Sequence, residues 1–342
     1  MKFGIFDHMD RGTASFADQY DSRLRLVEAY DAGGFHAYHL AEHHSTPLGI
    51  APSPSVYLSA VAQRTKRLRL GAMVYTLSLH HPLRLLEEIC MLDQMSGGRL
   101  EVGFGRGASP IEIGYYGVDP DQALSIYQEA YQIIMQGLTG PVVNFTGKHF
   151  QLRDVPMEVH CLQKPTPPIW YGLGSPASAR WTAENNVNII CSGTPGHARS
   201  ITDRYRQDWR ELGKSDDSLP LLGLSRHVVI GKSRREAQEA ASRAYRLWYR
   251  SLMHLWIKHG VKGTPLLLSF PNEFHGLQEA GLGIAGTADE VRDWVQDQIE
   301  RAGANYFVCR FAFGDLTHAE SAQSAELFAS EVMPAFRNLV MA

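Results

Sequence analysis

Four stretches of the chain combine side chains and backbone that could do chemistry. Glu42-His43-His44 sets a carboxylate beside two imidazoles. Unperturbed histidine titrates near neutral pH, so this run could move a proton to or from a substrate. The same groups could bind a metal, or simply hydrogen-bond within the rim of a fold. Gly103-Phe104-Gly105-Arg106-Gly107 lets backbone approach a ligand closely, and Arg106 could grip a phosphate through a forked pair of hydrogen bonds. Gly172-Leu173-Gly174-Ser175-Pro176 reads as a turn into a helix, where free N–H groups favour an anion; the Ser175 and Ser178 hydroxyls would add donors. His80 and His81 stand just before Pro82 and read mainly as residues of a helix start.

Each of these runs needs a strand or helix to hold it, and the sequence alternates the two from end to end. Strands are expected at Lys2–Asp7, His36–Ala41, Leu68–Tyr75, Arg99–Gly105, Ile169–Gly172, Val187–Cys191, Leu221–Ile230 and Tyr306–Phe311. Helical patterns follow them. In the first, Phe16, Tyr20, Leu24 and Val27 are spaced as one apolar face, with Ser15 and Asp18 suited to cap its start and Gly33-Gly34 to stop it. Ser53-Pro54, Ser175-Pro176 and Thr194-Pro195 read as helix starts. So do the capping boxes beginning at Thr287 and Thr317. Eight strand–helix units predict a parallel sheet closed into a (β/α)8 TIM barrel, one domain over residues 1–342. Residues 141–168, with a hairpin at Val142–Leu152, and the Gly- and Pro-rich, irregular residues 260–286 read as insertions. In such a barrel chemistry sits at the C-terminal strand ends, where the four candidate runs fall.

Composition narrows the function classes. The chain has 342 residues, 44% of them hydrophobic and 20% charged, with net charge −3. It has no basic block, so nucleic acid is not an expected partner. Its four cysteines, Cys90, Cys161, Cys191 and Cys309, form no C-x-x-C pair, which argues against a zinc ribbon or disulfide framework. The first strand begins at once and no apolar run approaches a membrane span, so we expect no leader, no membrane partner and a cytoplasmic protein. A metal-hydrolase barrel would usually carry an H-x-H pair on its first strand. This one reads Phe3-Gly4-Ile5-Phe6-Asp7-His8, and no metal is expected. A full dinucleotide-binding glycine fingerprint is missing as well.

Several of these segments together resemble the bacterial-luciferase-like flavin-dependent monooxygenases. The resemblance rests on Leu40-Ala41-Glu42-His43-His44, on the block from Leu68 to Gly107 that includes His81-Pro82-Leu83-Arg84 and Leu92–Glu101, on Gly174–Glu184, and on Phe328–Phe336. It implies reduced FMN, supplied by a separate flavin reductase, and dioxygen acting on a small organic substrate through a flavin hydroperoxide. It also implies a homodimer built through helices of the early units. His43 matches the family's active-site histidine, Arg106 a flavin-phosphate arginine, and Ser175 and Ser178 phosphate-binding positions. Luciferase itself carries a glutamate where this chain has Gly174. A non-proline cis peptide of the third strand would fall at Met73-Val74, against the flavin ring. Phe6, Met73, Tyr75 and Phe104 are candidates for a wall that excludes water, and residues 260–286 for a lid. Two rivals use the same barrel: a deazaflavin-dependent hydride-transfer oxidoreductase and a non-catalytic flavin-binding barrel. Retention of His43 favours an enzyme over the latter.

Overall fold

The computed structural model describes residues 1–337; residues 338–342, which the sequence reading assigns to the same domain, lie outside the described residues. The chain opens with β1 (Lys2–Asp7), α1 (Phe16–Gly33), β2 (Ala37–Leu40), α2 (Pro54–Arg64), β3 (Arg69–Thr76) and α3 (Pro82–Ser96). Next come β4 (Leu100–Gly105), α4 (Pro110–Tyr115), α5 (Ala123–Thr139) and the hairpin β5 (Val142–Thr146) with β6 (Gln151–Pro156). β7 (Ile169–Gly172), α6 (Ala179–Glu184), β8 (Asn188–Cys191), α7 (Pro195–Glu211), β9 (Leu222–Ile230) and α8 (Arg234–His259) follow. The chain continues through α9 (Pro265–Leu268), α10 (Phe274–Glu279), β10 (Gly283–Gly286), α11 (Ala288–Ala302), β11 (Tyr306–Arg310) and α12 (His318–Leu327).

Eight strands close a parallel barrel in the order β9-β11-β1-β2-β3-β4-β7-β8, with β8 returning to β9. Every residue of β4 and β9 is buried, as strands covered by side chains within and helices without must be. The caps form where the sequence places them. The Ser15 hydroxyl accepts the Asp18 N–H at 3.1 Å, and Thr287 with Glu290 and Thr317 with Glu320 make reciprocal capping boxes, each worth about 1 kcal/mol. Gly34 and Gly97 end α1 and α3 in the left-handed conformation. At Ser53 the expected side-chain cap is absent, although Pro54 does begin α2.

Two expectations need correction. The expected face of α1 is buried only in part: Val27 is buried and Tyr20 and Leu24 are partly so, but Phe16 is exposed, and Gln19, Arg23, Leu26 and Tyr30 join the buried side. Polar groups win this face because they find partners there. Arg23 pairs with Asp7 at 3.1 Å, the Gln19 amide donates to the Asp10 carbonyl, and Phe16 lies under the Arg11 guanidinium at 4.5 Å. Nor are residues 260–286 irregular throughout. They form α9 and α10, and then β10, a ninth parallel strand that pairs the far half of β9 from Gly283↔His227 to Gly286↔Ile230.

The barrel is filled from the bottom by large groups that demand small neighbours. Glu101 takes Arg69 Nε at 2.6 Å and Trp170 Nε1 at 2.7 Å. The Tyr306 hydroxyl of β11 passes over β1 to reach His39 Nε2 of β2 at 2.8 Å. A Cβ on Gly4 would lie 1.7 Å from that hydroxyl, so β1 needs glycine there. With the lower barrel packed solid, the open space lies at the C-terminal mouth.

Candidate active site

A cavity of about 340 Å³ occupies that mouth, at the lower end of volumes typical for small-molecule sites. His43 lies on its wall, just beyond the end of β2. Its Nδ1 faces Glu112 Oε1 at 3.3 Å, while Glu112 Oε2 accepts the His44 N–H at 2.7 Å. Glu112 comes from α4, which is capped by Ser109 accepting the Glu112 N–H at 3.2 Å. A carboxylate at Nδ1 favours the tautomer with its proton there, leaving Nε2 to exchange a proton with a ligand. Gly49 makes room for this histidine, since a Cβ on it would stand 2.8 Å from His43 Cβ.

The two neighbours of His43 in sequence serve a different purpose. Glu42 Oε1 meets His44 Nε2 at 2.7 Å and His80 Nε2 at 2.9 Å, and its Oε2 accepts the Thr76 N–H at 2.9 Å. Burial alone would raise this carboxyl; the hydrogen bonds from His44 and His80 and from the Thr76 N–H override it and hold it down at about 2. His80 is shifted upward: burial opposes its charge, and the Glu42 carboxylate more than compensates. His44 Nδ1 is taken by the Tyr116 hydroxyl at 2.7 Å. The histidine pair therefore divides, with His44 a strut and His43 the ring on the cavity wall. Among the described residues no group of three or more His, Cys, Asp or Glu is arranged to hold a metal ion.

His8 stacks on His43 with ring centroids 5.7 Å apart. Burial, then Arg310 and His43, push the His8 pKa well below its ordinary value, so it is neutral at pH 7. Phe6, Met73 and Trp248 add apolar wall. Two other residues expected in that wall are elsewhere. Tyr75 is buried with its hydroxyl on Ser55 at 2.9 Å, and Phe104 packs edge-on against Tyr131 of α5. Alternation along a strand sends Met73 inward and its second neighbour's ring, past the irregular pairing between Ala72 and Tyr75, out toward the helices.

The Met73–Val74 peptide is cis, and both side chains line the cavity. Gly172, Leu173 and Gly174, at the end of β7 on the other side of β4, also line the cavity, and a Cβ on Gly172 or Gly174 would meet nothing within 4 Å. Ser175 is exposed and caps a single 3-10 turn by accepting the Ala177 N–H; Ser178 is half-buried at the end of that turn. The helix expected to start at Ser175-Pro176 does start there, as a 3-10 turn that runs into the six-residue α6. Arg106 is exposed at the end of β4, its guanidinium without a partner among the described residues, while its carbonyl accepts from Ser78. The side chains of Arg106, Ser175 and Ser178 are thus at the rim rather than in the wall.

From residues 260–286, Thr264, Leu267 and Phe270 reach the cavity. No residue of 141–168 does. Sequence reading missed Glu112, His80 as a partner of Glu42, His8, Trp248 and Arg310. Only Glu112 carried a signal, the spacing Ser109-x-x-Glu112 behind Ser109-Pro110.

Comparison with known proteins places the fold and the family. The chain is 45% identical over 333 residues to the uncharacterized protein y4wF of Sinorhizobium fredii, covering 97% of this chain and 96% of that one. It is 30% identical over 259 residues to the oxygenase component of a flavin-dependent trigonelline monooxygenase of Acinetobacter baylyi, covering 71% and 68%. Among solved structures, monooxygenase RslO1 of Streptomyces bottropensis superposes with a TM-score of 0.88 at 25% identity, covering 98% of this chain and all of that one. The oxygenating constituent of 3,6-diketocamphane monooxygenase of Pseudomonas putida, in complex with FMN, gives 0.79 at 20% identity, covering 100% and 99%. An F420-dependent secondary alcohol dehydrogenase shares the fold at 0.72 and 18% identity, covering 98% and 99%. With the family model for luciferase-like monooxygenases matching residues 1–306 as well, the chain belongs to that family.

Proposed function

We propose that this protein is the oxygenase of a two-component flavin monooxygenase, taking reduced FMN from a separate reductase and using dioxygen to oxidise a small organic substrate. The observation that carries the reading is His43, oriented by Glu112 on the wall of a cavity that also holds the Met73–Val74 junction and the open backbone at Gly172–Gly174. That space fits a flat ring, and Met73 and Val74 would lie against it. Gly174, Ser175 and Ser178 would take its phosphate, with Arg106 swinging in from the rim. Bound there, reduced FMN would supply the electrons that make dioxygen reactive.

The chain's own residues do the rest. His43 Nε2 gives or takes a proton at the reacting oxygen, and Glu112 keeps the ring in one tautomer. Phe6, Met73, Trp248 and Phe270 exclude water from the reacting centre. The segment 260–286 closes the mouth through Leu267 and Phe270. The chain works as one barrel domain, with the 141–168 insertion away from the chemistry, and assembles as a homodimer.

An anaerobic titration with reduced FMN and, in parallel, reduced deazaflavin, followed by mixing with oxygen, tests this. Tight binding of reduced FMN and an oxygen-dependent flavin spectrum are expected. Preference for the deazaflavin with no response to oxygen would replace the proposal with hydride transfer on the same barrel. Binding of flavin with no turnover of any substrate tried, in wild type and His43→Ala alike, would leave a carrier.

A further inference from the structure

Arg310 ends β11 on the cavity wall and is only 6% exposed. Its Cζ stands 4.9 Å from the Phe6 ring and 5.9 Å from the Trp248 ring. Among the described residues, its Nε has no hydrogen-bond partner and no carboxylate forms an ion pair with it. Burial lowers its pKa only to about 10, so it stays charged at neutral pH. Buried charges are normally matched. Arg23, also 6% exposed, has Asp7 at 3.1 Å, and the fully buried Arg226 of β9, which has no carboxylate either, donates to the Gln298 side chain and the Ser225 carbonyl, both at 2.9 Å; among the described residues Arg310 has neither kind of partner. On the adjacent strand β9, Ser225 pairs in register with Val308, two residues before Arg310; its hydroxyl is buried and without a partner among the described residues, and Ser225 also lines the cavity. Two neighbouring strands thus bring an unmatched cation and an unmatched hydroxyl to one wall of the same space.

We propose that Arg310 and Ser225 form an anion subsite for the substrate, and that the protein oxidises a small, largely apolar organic carboxylate. The inference rests on the reading of this cavity as an oxygenase site. Its charge logic is simple: one guanidinium and one hydroxyl match the two oxygens and single charge of a carboxylate. The aromatic faces of Phe6 and Trp248 hold the guanidinium by cation–π contact without neutralising it. Position separates this subsite from the cofactor. The residues assigned to flavin lie on or just beyond β3, β4 and β7, a wall centred on β4. In the ring of eight strands, β11 lies four places from β4 in either direction, diametrically across the barrel. His8 and His43 stand beside the subsite through the contacts Phe6–His8 at 4.8 Å and His8–His43 at 5.7 Å. A carboxylate held at Arg310 would therefore place the apolar part of its molecule between His43 and the flavin wall.

The test uses flavin-free protein and matched pairs of probes: benzoate and benzamide, phenylacetate and phenylacetamide, octanoate and octanamide. Binding is read from tryptophan fluorescence, to which Trp248 contributes, and from the shift in melting temperature. At least one acid should bind wild type tenfold or more tighter than its amide. Arg310→Met should abolish that preference and, by removing an unmatched buried charge, melt higher than wild type without ligand. Ser225→Ala should weaken the acid severalfold. Arg310→Gln provides the same comparison should the methionine variant not fold. A separate arm measures reduced FMN, whose affinity should stay within about twofold in the Arg310 variants. The proposal is overturned if amides bind as well as acids throughout, or if acid preference survives in both Arg310 variants. A tenfold loss of reduced-FMN affinity with acid binding untouched would overturn it too, assigning the guanidinium to the flavin. Failure of wild type to bind any flavin, with the acid preference present and dependent on Arg310, would sink the oxygenase reading and leave the anion subsite standing.

Discussion

Glu112 meets the His43 ring and the His44 backbone with its two carboxylate oxygens, and among the described residues no other side chain hydrogen-bonds the imidazole at Nδ1. The pair behaves as an orienter and a proton carrier, and the two roles separate on mutation. His43→Ala removes the carrier and should lower turnover of an identified substrate by roughly 10²–10⁴-fold. Glu112→Ala leaves the carrier but frees its tautomer, and should cost roughly 10–100-fold, by analogy with the partners that orient metal-bound histidines. Nitrogen-15 spectra of the imidazole give a readout independent of activity. Wild type should show the Nδ1–H form, and Glu112→Ala a mixture. A single unchanged tautomer in that variant would mean that something other than Glu112 holds the ring. Arg310 poses the opposite problem at this scale, since its meaning comes from the missing partner.

Glu42 acts between elements: it ties the end of β2 to the end of β3 through the Thr76 N–H, and to the approach of α3 through His80. Its carboxyl is held near 2 in the fold, against an ordinary value of 4.5. The folded form therefore binds the proton more weakly than the unfolded form does. The resulting stabilisation is present above pH 4.5 and is lost as pH falls from there toward 2. On that basis Glu42→Gln should destabilise the protein at pH 7 by on the order of 3 kcal/mol. The variant should also melt with a shallower acid dependence over this window, measured by calorimetry at stepped pH. Parallel curves for the two proteins would show that the network contributes no linkage. His80 carries the opposite sign: its raised pKa gives stabilisation that is full below about 6.5 and fades as pH rises through the folded value. Much at this scale was readable in advance. Strand positions and the caps at Ser15, Thr287 and Thr317 follow from local signals, while the cis junction was expected only through the family resemblance. What escaped depended on distant partners. Arg23 and Gln19 face inward because Asp7 and Asp10 lie beneath them, and β10 exists because β9 runs on past β8 and leaves an edge to cover. Tyr75 belongs to the outer layer because of an irregularity in strand pairing that hydropathy does not encode, and Phe104 because it alternates with Gly103 and Gly105 on the same face as Val102.

Across the whole molecule, the surface over the early units carries apolar groups that the fold does not use. Met91 and Met95 are 52% and 46% exposed one turn apart on α3, and Leu162, 54% exposed, packs beside Gly98 just beyond that helix. Val56 is 71% exposed on the adjoining α2. Single exposed apolar residues are ordinary, but neighbours on one face that outlast folding mark a surface awaiting contact. Methionine suits such a surface because its side chain adapts to whatever shape it meets. A twofold dimer would pair this face with its own copy, so each residue changed is changed twice across the interface. Met91→Glu with Met95→Glu therefore sets four carboxylates into the contact. Light scattering of wild type should give twice the 38.1 kDa of one chain, and the double variant should give the single mass with its melting behaviour otherwise intact. If the variant remains dimeric, the subunits meet elsewhere and these methionines are merely exposed. If wild type is itself monomeric, the patch has another occupant, and His43 and its cavity function within a single chain.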